Sequence, residues 1–415
     1  MRRQLNYLLW PLFRGPARLY RNTFLRNSKI VTVIGSYGKT TTTRAAHRAA
    51  EIPYPEEGIS NSFSSRALAL LSLRPGAKAM IAEVGIGALG QMAQYARMLQ
   101  PDVVVVTSIG SEHGRSLGTL QDTADEKAKM LEAIRPGGIA IMNGDDPKVR
   151  TMAAHCRETI SWFGIGPENG IRAEAIQMDW PNGTRFRLVA EGTSHDVFIR
   201  LIGEHGVRAA LGGFAIARVL GHSAEQAIAG LGTMPQVANR LQVKTLENGA
   251  HILDDCFKAS LETFETAIDI VADIPARRRL LAIGAIEDFP GSQPATYRDL
   301  GLRAGHHADR IVALMSRRSF RPFATGARKS GMSDDQLVRV KSIAEMTELL
   351  RSELLPGDVV LLKGRGSARM GRVTLALEGR TVGCTLKLCG LKMVSCHKCE
   401  HLETGFRHAL PPGTQ

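Results

Sequence analysis

Short apolar runs ending at glycine or a polar residue alternate along this chain with longer stretches whose apolar residues fall three or four apart. Val31-Thr32-Val33-Ile34 is the first run, Ala79 to Val84 the second, Asp102 to Ile109 with its unbroken Val103-Val104-Val105-Val106 the third, and Gly138 to Met142 the fourth. Such runs suit strands covered on both faces, as in a parallel sheet wound with helices. From Lys29 to about Pro235 the pattern predicts a doubly wound α/β domain, with its active site beyond the carboxyl ends of the strands. A more β-rich segment, about Ile171 to Leu201, carries the polar turn Pro181-Asn182-Gly183, and helices are expected from about Val207 to Gly232. The strand-helix pattern restarts after Met234-Pro235, with Val243 to Asp255, Arg279 to Ile283, Arg310 to Met315 and Asp358 to Lys363. These breaks predict an N-terminal arm (1–28), a central domain (29–236), a smaller α/β domain (237–379) and a tail of different composition (380–415).

The arm holds six arginines and no acid. Leu5, Leu8, Leu9, Leu12 and Phe13 fall on one helical face, and Pro11 and Pro16 limit the helix. Two readings fit: a peripheral arm that meets a membrane or a protein partner, or a helix packed on the body of the protein. A chain of 415 residues is too long for one ordinary core. Its composition, 44% hydrophobic and 22% charged, is that of a soluble globular protein, and no run has the length of a membrane helix. The net charge of +13 suits anionic partners such as nucleotides, phosphorylated substrates or an anionic membrane. With 5% aromatics and no recognition module, nucleic acid is not expected.

The first strand runs into Gly35-Ser36-Tyr37-Gly38-Lys39-Thr40-Thr41, and a helix follows. Glycines let backbone N–H groups close around phosphate oxygens, Lys39 adds a positive charge, and Thr40 offers a hydroxyl to Mg²⁺. The loop is shorter than the common phosphate loop, and a threonine run follows it. The strand-end positions hold further candidates: Glu83 after the second strand, His113 after the third and Asn143 after the fourth.

In order, these motifs resemble those of the Mur ligase family, most nearly its MurF branch, over roughly residues 29–376. Gly58-Ile59-Ser60-Asn61, Glu83-Val84-Gly85, the segment Thr107 to His113, Lys127, Asn143-Gly144-Asp145-Asp146, Arg240, Asp254-Asp255 and Lys363-Gly364 follow in the family's order. The resemblance implies a P-loop doubly wound ATPase domain followed by a smaller Rossmann-like α/β domain. It implies a cytoplasmic ligase that activates a carboxylate with ATP as an acyl phosphate for attack by an amine. It also implies roles for single residues. Thr40, Glu83 and His113 would hold Mg²⁺, and Lys127 would do so after taking up CO₂ as a carbamate. Asn143 would meet adenine, Asp255 the ribose and Arg240 the γ-phosphate. Asn61 and Lys363 would meet the substrate.

The pattern also departs from the family. The family carries a further domain ahead of the phosphate loop that holds the nucleotide sugar, whereas 28 residues precede the first strand here. The family's Gly-x-His-Asn-Val reads Gly203-Glu204-His205-Gly206-Val207, and Lys258 stands where an asparagine is usual. The ATP half reads as intact and the substrate half as altered. Two alternatives to a MurF-like ligase are a Mur-like ligase with another acceptor and a non-catalytic nucleotide-binding scaffold. The tail adds Cys384, Cys389, Cys396 and Cys399, spaced x4, x6 and x2, with His397 and His401 among them. That spacing suggests a small structural Zn²⁺ site in a reducing compartment, the other readings being free thiols or an unfolded tail.

Overall fold

The computed structural model describes residues 10–55, 62–111, 114–287, 289, 291–391 and 395–405. The chain divides into two compact units, Met1–Pro235 and Gln236–Gln415.

The first unit is built on β1 (Lys29–Ile34), β2 (Ala79–Glu83), β3 (Val103–Val106), β4 (Ile139–Asn143) and β5 (Thr159–Gly164), extended by β6 (Ile171–Asp179), β7 (Gly183–Ala190) and β8 (Thr193–Ile199). The sheet order is β2-β1-β3-β4-β5-β6-β7-β8. Neighbouring strands are parallel from β2 through β6, and β6, β7 and β8 pair antiparallel. The chain reverses winding direction between β1 and β3, so the loop after β1 lies at the switch point where such sheets bind ligands.

Period-two alternation explains the two cores. Ile30, Ile34, Val104, Val106, Ala140 and Met142 share one core with Leu70, Tyr95 and Leu99 from helices Phe63–Ser72 and Gln91–Leu99. The intervening Val31, Val33, Val103 and Val105 are equally buried on the opposite face. Helices Lys39–Ala49 and Glu204–Val219 pack together there, close enough that a β-carbon on Gly213 would stand 2.7 Å from the Ala45 carbonyl carbon.

Three expectations change here. The third strand ends at Val106 rather than Ile109, because Thr107 and Ser108 turn away to brace the phosphate loop. Strand β5, with its exposed and half-buried start, lacks the fully apolar signature and was not expected. The helix Trp10–Thr23 runs through Pro16, and Pro11 lies in its first turn, where a missing N–H costs nothing. Its packing favours the docked reading of the arm. Trp10 stacks on Phe63 at 4.7 Å, Phe63 stacks on Tyr95 at 4.0 Å, and the Tyr20 hydroxyl donates to the Leu73 carbonyl at 2.9 Å. Arg21, fully buried, donates to the carbonyls of Leu99 and Gln100 and to Asp102 at 2.7 Å. Phe13 packs against the core while Leu12 is exposed; Leu5, Leu8 and Leu9 lie outside the described residues.

The second unit holds β9 (Gln242–Thr245), β10 (His251–Asp255), β11 (Arg279–Gly284), β12 (Arg310–Leu314), β13 (Leu337–Arg339) and β14 (Val359–Lys363). They order as β13-β12-β11-β14-β10-β9, all pairs parallel except the β9–β10 hairpin. The segment Val243 to Asp255, read as one strand region, is therefore two antiparallel strands joined at Glu247-Asn248-Gly249.

Candidate active site

The site of the first unit starts with Gly35. Its φ is +144°, and a β-carbon there would stand 2.1 Å from the Thr107 hydroxyl oxygen. Only glycine lets the chain leave β1 this close to the end of β3. Gly38 at φ +83° starts the helix Lys39–Ala49 without any side-chain cap. The first amides of a helix face outward along its axis, and the helix dipole favours an anion there.

The loop is braced from behind. The Tyr37 N–H donates to Ser108 Oγ at 2.9 Å, and the Thr107 hydroxyl donates to the Tyr37 carbonyl at 2.6 Å. The Gly110 N–H donates to Ser36 Oγ at 2.8 Å. Lys39 Nζ donates to the Gly35 carbonyl at 2.7 Å and to the Ser36 carbonyl at 3.0 Å, which places its charge inside the curl of the loop. Thr41 follows in the first turn of the helix.

Two sets of groups surround this loop. The Thr40 hydroxyl donates to Glu83 Oε2 at 2.7 Å, bringing the last residue of β2 against the first turn of the helix. The buried Lys127, in the last turn of the helix Leu120–Ala128, donates from Nζ to Ser36 Oγ at 2.8 Å. That helix starts with a capping box of Thr119 and Asp122, which fixes where its last turn falls. Lys39, Thr40, Glu83 and Lys127 are thus gathered around one loop.

Arg66 is the residue that sequence reasoning missed. It is 8% exposed on the helix Phe63–Ser72 and lies within electrostatic reach of Glu83. Burial lowers its pKa, and the Glu83 charge works against that shift. The only signal was an arginine between Ser64-Ser65 and Ala67-Leu68, in a helix face otherwise made of small and apolar residues.

The Asn143 side-chain amide donates to the Thr107 carbonyl at 2.9 Å and accepts from the Asp145 N–H at 3.1 Å, tying β4 to β3. Asp146 caps the helix Pro147–Thr151 and accepts from the Ile109 N–H at 2.8 Å. Asp145 accepts from the Ile165 and Gly166 N–H groups and from Arg208 Nε at 2.6 Å. Burial alone would raise its pKa, but the two N–H donors and Arg208 outweigh burial and lower it. Asn61 and His113 lie outside the described residues.

In the second unit, Asp255 and Lys363 end adjacent strands in register. Lys363 is fully buried, ion-pairs with Asp255, and donates to the Lys258 carbonyl at 2.9 Å. The structure pairs these two residues with each other; their ribose and substrate roles stay as the resemblance implies them. Arg240 lies over the Phe257 ring at 4.3 Å. Asp254, buried beneath, accepts from the Thr374 hydroxyl at 2.7 Å, and desolvation raises its pKa.

Among the described residues, no group of three or more His, Cys, Asp or Glu side chains is already set to hold a metal ion. The donor set beside the loop still fits Mg²⁺ in kind, since a hydroxyl and a carboxylate 2.7 Å apart are hard oxygen ligands.

Comparison with known proteins agrees with this geometry. Residues 33–217 match the Mur ligase middle domain, and residues 239–366 match the Mur ligase, glutamate ligase domain. The UDP-N-acetylmuramoyl-tripeptide--D-alanyl-D-alanine ligase of Bacillus subtilis is 24% identical over 83% of this chain and 75% of its own length. Its counterpart in Mycobacterium tuberculosis is 28% identical over 84% of this chain and 72% of its own length. Among solved structures, MurF from Acinetobacter baumannii superposes with a TM-score of 0.79 at 22% identity, covering 89% of this chain and 81% of that one. MurF from Thermotoga maritima, in complex with ADP, superposes at 0.77 and 20% identity, covering 89% of this chain and 83% of that one.

Proposed function

Because the chain belongs to the Mur ligase family, whose middle and glutamate ligase domains it carries, we propose that it joins the terminal carboxylate of a UDP-N-acetylmuramoyl-tripeptide to the amine of D-alanyl-D-alanine. It is an ATP-dependent ligase that forms amide bonds. The observation that carries the ATP-dependent part of this reading is the clustering of Lys39, Thr40, Glu83 and Lys127 at the carboxyl edge of a parallel sheet. The relatives bearing that substrate name supply the acid and the amine.

The chemistry follows from the loop. Backbone N–H groups and Lys39 hold the ATP phosphates, so the γ-phosphorus faces the incoming acid. A carboxylate oxygen attacks that phosphorus and ADP leaves, giving the acyl phosphate. The amine then attacks the acyl carbon, phosphate leaves with the carboxylate's oxygen, and the ammonium proton passes to solvent. When bound, Mg²⁺ neutralises phosphate charge, and Thr40 and Glu83 are the residues that would hold it. The Arg66 charge, within electrostatic reach of Glu83, limits the cost of a buried carboxylate. Lys127 is taken as the site of carbamate formation, and Asn143, Arg240 and Asp255 as nucleotide ligands, on the resemblance alone. A cytoplasmic setting, where both ATP and the nucleotide sugar are found, belongs to the same reading. Among the described residues no helix is long and apolar enough to cross a membrane.

The test is phosphate release from Mg·ATP with products read by mass spectrometry. The muramoyl-tripeptide and D-alanyl-D-alanine together should give stoichiometric amide, ADP and phosphate. Product only with other acid–amine pairs would keep the ligase and overturn the acceptor. Lys258 and Gly206, which stands where the family has an asparagine, are the first places to look in that case.

A further inference from the structure

The four tail cysteines, 384, 389, 396 and 399, are not part of the matched domains, which end at residue 366. They are free thiols, each partly buried. All four line one cavity of about 20 Å³, together with Arg369, Arg372, Leu391 and Leu402. A space of that size holds one water or one ion and nothing larger.

The tail lacks other means of holding its shape. Among its described residues the only regular element is the short turn Cys396–Lys398, and Leu402 is the only fully buried apolar side chain. A segment this poor in core cannot offset the entropy of ordering by burial alone; small folds of this kind use disulfides or a metal. Its backbone is nevertheless tightly specified. The N–H groups of Gly383 and Cys384 both donate to the Leu402 carbonyl, at 2.9 and 3.0 Å, and the Cys399 N–H donates to the Cys396 carbonyl at 3.1 Å. The last of these folds the Cys-x-x-Cys pair into one tight turn.

We propose that this cavity is a structural zinc site, with Cys384, Cys389, Cys396 and Cys399 as its four thiolate ligands. As placed, the thiols line the wall without three of them already gripping one point. Turning them inward on their side-chain torsions fills the cavity with the ion and displaces the thiol protons to solvent. A zinc tetrathiolate is anionic, and two guanidiniums stand ready to balance it. Arg372, 2% exposed, donates to the Cys384 carbonyl at 2.5 Å, to Cys384 Sγ at 3.1 Å and to the Leu386 carbonyl at 2.6 Å. Arg369 donates to the Leu391 carbonyl. Such partners orient metal-bound sulfur and temper its charge. The site would clamp the tail onto 366–372, the stretch that follows β14, because Cys389 donates from its N–H to the Ser367 carbonyl at 2.8 Å.

The test uses the full chain, purified under reducing conditions without chelator from zinc-supplemented medium. Elemental analysis should give about one zinc per chain. An organomercurial thiol reagent should release it, and Cys399→Ser should lose most of it while Cys156→Ser keeps it. Protein loaded with Co²⁺ in place of zinc should show the visible bands of a tetrahedral thiolate site, a readout that does not depend on any variant folding. Protein with less than about a tenth of an equivalent of metal, disulfides among these cysteines in the reduced preparation, or full metal retention by Cys399→Ser would each overturn the site.

Discussion

Lys39 and Gly35 carry the heaviest demands on single residues. Removing the Lys39 charge leaves the loop amides in place but takes away the cation that sits within their curl. Lys39→Ala should lower the turnover number by at least about 10³-fold with little change in thermal stability, measured by steady-state phosphate release and calorimetry. Gly35→Ala should do worse, because its β-carbon would collide with Thr107 and strain the backbone. Asp145 gives a pH-dependent prediction. Its pKa is lowered in the fold, so its stabilisation is complete above the ordinary carboxylate range and fades as pH falls through the depressed value. Asp145→Asn should therefore cost about 1–3 kcal/mol in denaturant unfolding at neutral pH, and the gap from the parent should narrow in acid. A gap that stayed constant down to strong acid would show that the carboxylate charge is not what Gly166, Ile165 and Arg208 stabilise. The loop and its lysine were legible in the sequence because glycine, lysine and threonine at that spacing have one dominant use. Lys363 was not. Register puts it beside Asp255 at adjacent strand ends, and pairing across a parallel ladder leaves no mark in a linear motif.

At the scale of elements, β-branched runs gave away the parallel strands, whereas β5 and β13 escaped because neither is apolar throughout. The N-terminal helix was legible as amphipathic but not as docked, since its anchor is an arginine. Arg21 looks like any other basic residue of the arm, yet it is the one whose guanidinium meets the carbonyls at the end of the helix Gln91–Leu99 and the Asp102 carboxylate. Arg21→Ala would take the buried guanidinium away from both carbonyls and leave Asp102 with the Ile30 N–H as its near donor. It should destabilise the first unit by about 3 kcal/mol or more, read from denaturant midpoints, and Arg18→Ala should change little. Equal effects of the two substitutions would mean that the helix is held by its aromatic stack rather than by Arg21.

For the whole molecule, the order of motifs fixed the family before any coordinates, because each strand end of a doubly wound sheet donates one residue and the chain order of those residues is the order of the strands. What the order could not supply is the partner of each residue. The electrostatic coupling of Arg66 to Glu83 and the four thiols on one cavity both needed three dimensions. The central claim is that the acid is activated by phosphoryl transfer, and it can be followed in the phosphate. Turnover of the muramoyl-tripeptide labelled with heavy oxygen in its terminal carboxylate, with D-alanyl-D-alanine and Mg·ATP, should release inorganic phosphate carrying a single carboxylate oxygen per amide formed. Phosphate free of the label, or ATP cleavage without amide, would contradict the account.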